Sequence, residues 1–175
     1  MSEFSICIMR LSAIGDVTHV VPLINAIRAQ RPNTKVTWII GKLEARLLSG
    51  LQGVEFVVFD KKGGLGEVMK LRKTLKGRRF DVLLHMQVAA RANLLSTLVK
   101  APLRIGWDKP RWRDRHQWFI NRSVASIPQQ HQVEAFLEFA RALDIPTGPP
   151  VWNLPVADED VNWACLLYTS DAADE

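Results

Sequence analysis

The chain has 175 residues and 19.8 kDa, the size of one ordinary domain or slightly more, and at 47% apolar and 23% charged it can bury a core. Two cysteines, Cys7 and Cys165, exclude a disulfide scaffold and a four-cysteine zinc site. No apolar run reaches membrane-spanning length, Met1-Ser2-Glu3-Phe4 does not start like a signal peptide, and a net charge of +5 points to a polyanionic partner of a soluble, cytoplasmic protein.

Phe4 to Met9 is a short apolar run of the kind a buried strand shows. A break at Arg10–Asp16 follows, and then Val17, Val20, Val21, Ile24 and Ile27 fall on one helical face. Pro22 interrupts that face, so the first turn is expected near His19, where a missing N–H costs nothing. Arg31-Pro32-Asn33 ends the helix. The unit then repeats. Strands are expected at Val36–Ile40, Phe56–Phe59, Phe80–His85 and Leu103–Trp107. Between them come a short helix at Leu43–Leu48, a face made by Leu65, Val68, Leu71 and Leu75, and another made by Leu94, Leu95, Leu98 and Val99. Val133, Phe136, Leu137, Ala140 and Leu143 mark the last helix.

Strands separated by helical patterns predict an α/β fold, a Rossmann-like, doubly wound parallel sheet over residues 1–144. Ligands of such sheets bind beyond the carboxyl ends of the strands, which singles out segments 10–16, 41–42, 60–66, 85–91 and 107–117. Residues 145–164, rich in proline, read as a linker and the start of a next element. Residues 165–175 (CLLYTSDAADE) resemble a translated sequencing adapter and are read as a non-native tail.

The sharpest motif is Arg10-Leu11-Ser12-Ala13-Ile14-Gly15-Asp16-Val17-Thr18-His19. Gly15 allows close backbone approach to a ligand, and Asp16 stands at a helix start. A carboxylate there caps free N–H groups, and acid–base work is the competing role. No Gly-Lys-Ser/Thr follows Gly63-Gly64-Leu65-Gly66, and no G-x-G-x-x-G follows the first strand, so a phosphate-binding P-loop and a nicotinamide site are disfavoured. The four histidines, 19, 85, 116 and 131, show no zinc spacing, and no metal is expected.

The opening motif, R-L-S-A-I-G-D-V-T-H-V-V-P, is similar to that of glycosyltransferase family 9, the ADP-heptose:lipopolysaccharide heptosyltransferases. Supporting likenesses to the heptosyltransferase I branch are W-I-I-G-K-L-E-A, F-D-V-L-L-H-M-Q and R-I-G-W-D. The resemblance spans residues 4–164 and implies the N-terminal, acceptor-binding half of a two-domain GT-B enzyme. It implies an inverting, metal-independent transfer of heptose from ADP-heptose to Kdo-lipid A, with no cofactor and with the donor site mostly in the missing C-terminal half. Asp16 matches the family's general base. Ser12, Gly15 and His19 of the same motif are expected near the acceptor, as are His85 and Gln87 at the end of the fourth strand.

The positive charge is local. Residues 61–122 hold 16 Lys and Arg against 4 Asp and Glu. Within them, Trp107–Trp118 carries Lys109, Arg111, Arg113 and Arg115 among three indoles, suited to carboxylates and phosphates. Lys70, Arg72, Lys73, Lys76, Arg78 and Arg79 read as a solvated helix face. Kdo-lipid A would match the charge, and the tryptophans suit peripheral contact at the inner face of the inner membrane. The alternatives are a family 9 enzyme with another acceptor, or a non-catalytic basic module binding an anionic glycolipid or nucleic acid. No nucleic-acid-binding motif is present, and nucleic acid is not the expected partner.

Overall fold

The computed structural model describes residues 3–154, 159–163 and 165. Six parallel strands form one sheet: β1 (Ser5–Met9), β2 (Lys35–Gly41), β3 (Val54–Phe59), β4 (Val82–His85), β5 (Leu103–Gly106) and β6 (Arg122–Ser123). Their order is β3-β2-β1-β4-β5-β6, so the direction of winding reverses between β1 and β4. That reversal opens a crevice at the carboxyl edge of the sheet.

The alternation of side chains along each strand sends two apolar sets to opposite faces. Ile6 and Ile8 of β1, with Trp38 and Leu84, pack under α1 (Ile14–Gln30) and α5 (Gln132–Arg141). Cys7 and Met9, with Ile39 and Leu83, pack under α3 (Gly64–Leu75) and α4 (Ala90–Ser96). The short α2 (Lys42–Leu47) adds Ala45 to the first layer. Cys7 is a fully buried core residue whose thiol is pushed up to about 12 by burial, away from nucleophilic chemistry.

Two expectations need correction, and two further features were not expected. First, α1 begins at Ile14 rather than near His19, and Pro22 lies well inside it. An interior proline removes one helical hydrogen bond. The early turns are held instead by the Ala13 N–H donating to Asp16 Oδ2 at 3.2 Å and by Thr18 Oγ1 donating to the Gly15 carbonyl at 2.7 Å. Burial of Val17, Val20 and Val21 outweighs the lost bond. Second, Leu65 and Leu94 are exposed rather than core, because of their leucines α3 and α4 turn only Leu71, Leu75 and Leu95 fully inward. Third, the two-residue β6 was not expected, since Arg122 and Ser123 are both exposed and carry no apolar signal. Fourth, Arg104, one of the basic-stretch cations, is a structural bolt that donates to the carbonyls of Ser96, Val99 and Phe119.

The proline-rich stretch beyond α5 lies against the domain over its first part. Ile145 is buried, Trp152 packs on the core, and Asn25 Nδ2 donates to the Val151 carbonyl at 2.8 Å. Residues 159–163 are helical. Pro155, Asp158 and the expected tail after Cys165 lie outside the described residues.

Candidate active site

The loop after β1 is anchored from three sides. The Gly41 N–H donates to the Leu11 carbonyl at 3.0 Å, and the Trp38 indole donates to the Arg10 carbonyl at 3.0 Å. Gln87, after β4, accepts from the Leu11 N–H at 2.7 Å and reaches Ser12 Oγ at 3.4 Å. Gly41 is required here, because a Cβ would stand 2.3 Å from the Leu11 carbonyl oxygen. Gln87 and Ser12 therefore shape the loop at the carboxyl edge, as neighbours of each other.

This loop presents Asp16. Its Oδ2 accepts from the Ala13 N–H and is paired with Arg10, so Asp16 is both a cap and half of an ion pair. Both contacts fall on one oxygen, which leaves Oδ1 for a ligand. Arg10 was missed as a site residue by sequence reasoning, although its place directly after β1 put it on the same edge. Its guanidinium donates to the Met86 carbonyl and lies 5.5 Å from the centre of the Phe136 ring. Burial pulls it below its ordinary value, opposed by the Asp16 carboxylate beside it. His19 is half-buried, with its ring 5.9 Å from that of Phe136 and its Nδ1 enclosed without a partner. Gly15 is exposed, and a Cβ there would meet no protein atom within 4 Å.

Beside this pair lies a cavity of about 300 Å³ lined by Arg10, Val88, Trp107, Pro110, Arg111, Arg113 and Gln132. Loops after β1, β4 and β5 meet here, at the crevice between β1 and β4. Arg111 stacks over the Trp107 ring at 4.3 Å and pairs with Asp108. Arg113 is exposed and donates to the Trp112 carbonyl at 2.7 Å. Three guanidinium groups around one small cavity suit a carboxylate or phosphate. Larger depressions lie elsewhere and are not lined by Arg10 or Asp16, among them one of about 820 Å³ with Lys70, Arg72, Lys73, Lys76 and Lys100 around it. One of about 470 Å³, at the 42–62 edge, has its charges largely paired internally, as Lys61–Glu44 at 3.1 Å and Lys42–Asp60 at 3.8 Å. One of about 540 Å³ opens among Lys35, Glu55, Arg78 and Phe80, away from Asp16.

The other expected contacts separate. Arg115 is exposed and stacks on Trp118 at 4.8 Å, outside the cavity, and Lys109 is exposed and does not line it. Trp107 is core, Trp112 is half-buried and Trp118 is exposed. His85 is corrected outright: it is fully buried, and its Nε2 contacts Asn93 Oδ1 at 2.9 Å rather than facing the edge. The ring of His116 lies 4.6 Å from it. Burial pushes His85 down to about 3 and His116 to about 4, and the neighbouring His116 further disfavours charge on His85. Both rings are therefore neutral in the folded protein. Below the ordinary histidine value of about 6.5 the unfolded chain takes up protons that the folded one refuses. Stability should be fully present above that pH and fall by about 1.4 kcal/mol per pH unit for each ring on acidification toward pH 4. Urea midpoints at pH 7 and pH 5 check this, and equal midpoints would exclude the neutral pair. Among the described residues, no group of three or more His, Cys, Asp or Glu is placed to hold a metal.

A parallel sheet in this strand order, with a carboxylate and converging arginines at its carboxyl edge, defines a Rossmann-like domain with an anion-suited crevice. Residues 68–169 match the model of glycosyltransferase family 9 (heptosyltransferase). The chain is 39% identical over 160 residues to the lipopolysaccharide core heptosyltransferase OpsX of Haemophilus influenzae, covering 91% of this chain and 46% of that protein. Its fold is similar to Escherichia coli heptosyltransferase WaaC, solved with ADP-2-deoxy-2-fluoro heptose, with a TM-score of 0.75 and 21% identity over 86% of this chain and 52% of that one. It is also similar to a family 9 glycosyl transferase from Veillonella parvula, with a TM-score of 0.77 and 16% identity over 98% and 51% of the two chains. The chain belongs to glycosyltransferase family 9. It spans about half the length of the curated relatives it matches.

Proposed function

We propose that this chain is the acceptor-binding half of a lipopolysaccharide inner-core heptosyltransferase, which transfers heptose from ADP-heptose to Kdo-lipid A. The observation that carries the reading is the placement of Asp16 on the carboxyl edge beside the arginine-lined cavity. A Kdo carboxylate or a lipid A phosphate would sit among Arg10, Arg111 and Arg113. An acceptor hydroxyl would then lie over Gly15, where a side chain would intrude, and against Asp16.

Asp16 takes the proton of that hydroxyl as its oxygen bonds to the anomeric carbon of heptose. The bond from that carbon to the diphosphate breaks, ADP leaves with the electron pair, and the anomeric configuration inverts. A carboxylate is a weak base, and it suffices when proton transfer is late and the acceptor is held in line. The reaction needs no metal and no cofactor in this reading. The donor contacts lie mostly in the half that this chain does not span. The 175-residue chain alone should therefore give no turnover of ADP-heptose, whereas a full-length enzyme carrying it should. Release of ADP by the isolated chain in the presence of Kdo-lipid A would overturn the division of labour.

The acceptor's lipid anchor places the protein at the inner face of the inner membrane, as a peripheral protein on the cytoplasmic side. Among the described residues, no helix is long and apolar enough to cross a membrane. The outer face of α3 and α4 supports peripheral contact, with Leu65, Met69 and Leu94 exposed beside Lys70, Lys73, Lys76 and Lys100. The chain should sediment with phosphatidylglycerol vesicles and not with phosphatidylcholine vesicles at low salt. Equal sedimentation with both would remove the membrane contact from the reading.

A further inference from the structure

Between α4 and the basic loop lies a buried polar network whose hydrogen assignments are fixed by its ends. Asn93 is 1% exposed, and its Nδ2 donates to the backbone carbonyl of Asp114 at 2.9 Å. A carbonyl only accepts, so the other amide atom, Oδ1, faces the two imidazoles: His85 Nε2 at 2.9 Å and His116 Nδ1 at 3.0 Å. Both of those ring nitrogens must then carry the proton. At the far side of His116, Nε2 accepts the Trp107 backbone N–H at 3.3 Å. His116 is therefore held as the Nδ1–H tautomer, and a second proton on it would meet the Trp107 N–H head on. Gly106 makes room for the ring, since a Cβ there would stand 2.5 Å from Nε2.

The network ends on the cavity. Asp114 and Arg115, at φ 51° and 60°, are consecutive non-glycine residues in the left-handed region, which L residues occupy only when something holds them. The hold comes from α4, whose Asn93 bonds the Asp114 carbonyl and whose Ala90 N–H donates to Asp114 Oδ2 at 2.9 Å. Trp107, fixed by His116 at its N–H, donates its indole N–H to the Met86 carbonyl at 2.8 Å, the same carbonyl that receives Arg10. Arg111 stacks on that indole. Asn93 thus ties both ends of the segment that carries Arg111 and Arg113.

We infer that Asn93, acting through His116 and Asp114, is a positioning residue that sets the Arg111 and Arg113 side of the anion cavity against Arg10. This rests on the acceptor-anion reading of the cavity, and it touches no reacting atom. Nothing in the linear sequence marks Asn93, because its partners lie in the strand before it and the loop after the next strand.

The test uses the 175-residue chain, with nuclear magnetic resonance as readout and inorganic phosphate as probe. In the unaltered chain His116 should be the Nδ1–H tautomer, the less common form of free imidazole, and His85 the Nε2–H tautomer. Phosphate should shift the side-chain signals of Arg10, Arg111 and Arg113. In Asn93→Asp, which keeps an acceptor for both rings but sets an oxygen against the Asp114 carbonyl, phosphate should bind about tenfold more weakly. The Trp107 amide should exchange faster there, while the amides of α1 keep their protection. Asn93→Ala should behave the same way. An Nε2–H tautomer at His116 overturns the inference, as does unchanged phosphate binding with an unchanged Trp107 amide in both variants. If the variants do not fold, the tautomers of the unaltered chain decide. Absence of phosphate binding to the unaltered chain counts against the cavity as the acceptor site, and the tautomers and Trp107 exchange still decide the role of Asn93.

Discussion

Replacing Asp16 with asparagine in a full-length enzyme carrying this half should lower kcat by about 10²- to 10⁴-fold, the usual contribution of a positioned general base. Asparagine has the same size, and its amide oxygen can still accept the Ala13 N–H that Asp16 Oδ2 accepts now. The helix start should therefore survive. What disappears is the proton acceptor and the charge partner of Arg10. The KM for ADP-heptose should stay within about twofold if the donor is held mostly by the other half, as proposed above, whereas a role in donor binding would raise KM with kcat unchanged. Steady-state kinetics with both substrates varied, beside a thermal melt of the variant, separates lost chemistry from lost fold. A folded variant that keeps kcat within about tenfold of the parent would remove Asp16 from the base role.

The position of Asp16 at the carboxyl edge was legible because chemistry and local structure coincide at it. A strand, a small-residue turn and an acid at a helix start sit within a few consecutive residues. The five main strands were legible for a similar reason, since a parallel strand covered on both faces leaves an unbroken apolar run. β6 left no such run. The start of α1 was misplaced because Pro22 weighs heavily in local reasoning, while the buried face and the Asp16 and Thr18 contacts that override it are tertiary or lie upstream. His85 shows the limit from the other side. A polar residue at a strand's carboxyl end is read as facing ligand, and only the partner on the next helix, Asn93, reveals that it is satisfied inside. The cavity itself could be anticipated as an edge but not as a set of residues. Arg10, Val88, Arg111 and Gln132 come from four separate segments, and no local pattern joins them.

The joint between core and cavity is Phe136, and its loss should be the costliest single truncation near the site. The ring is fully buried on α5. It meets the Trp107 ring edge-on at 5.2 Å, supports the Arg10 guanidinium at 5.5 Å and lies 5.9 Å from His19. Phe136→Ala should cost about 3–5 kcal/mol, the range for a buried aromatic removed to a methyl group, because neighbours fixed by the sheet below cannot collapse into the space. Chemical denaturation of the 175-residue chain measures this, and a loss below about 1 kcal/mol would mean the site tolerates collapse. Phe136→Leu separates the two roles of the ring. It keeps most of the buried volume and should cost about 1–2 kcal/mol, leaving the chain folded. It removes the aromatic face under Arg10, however, and with it a cation–π contact in a poorly solvated place. A folded Phe136→Leu chain should therefore bind phosphate more weakly than the parent although no cavity-lining residue has changed. If phosphate binding is untouched, Arg10 is held by Asp16 and the Met86 carbonyl alone, and Phe136 serves only the core.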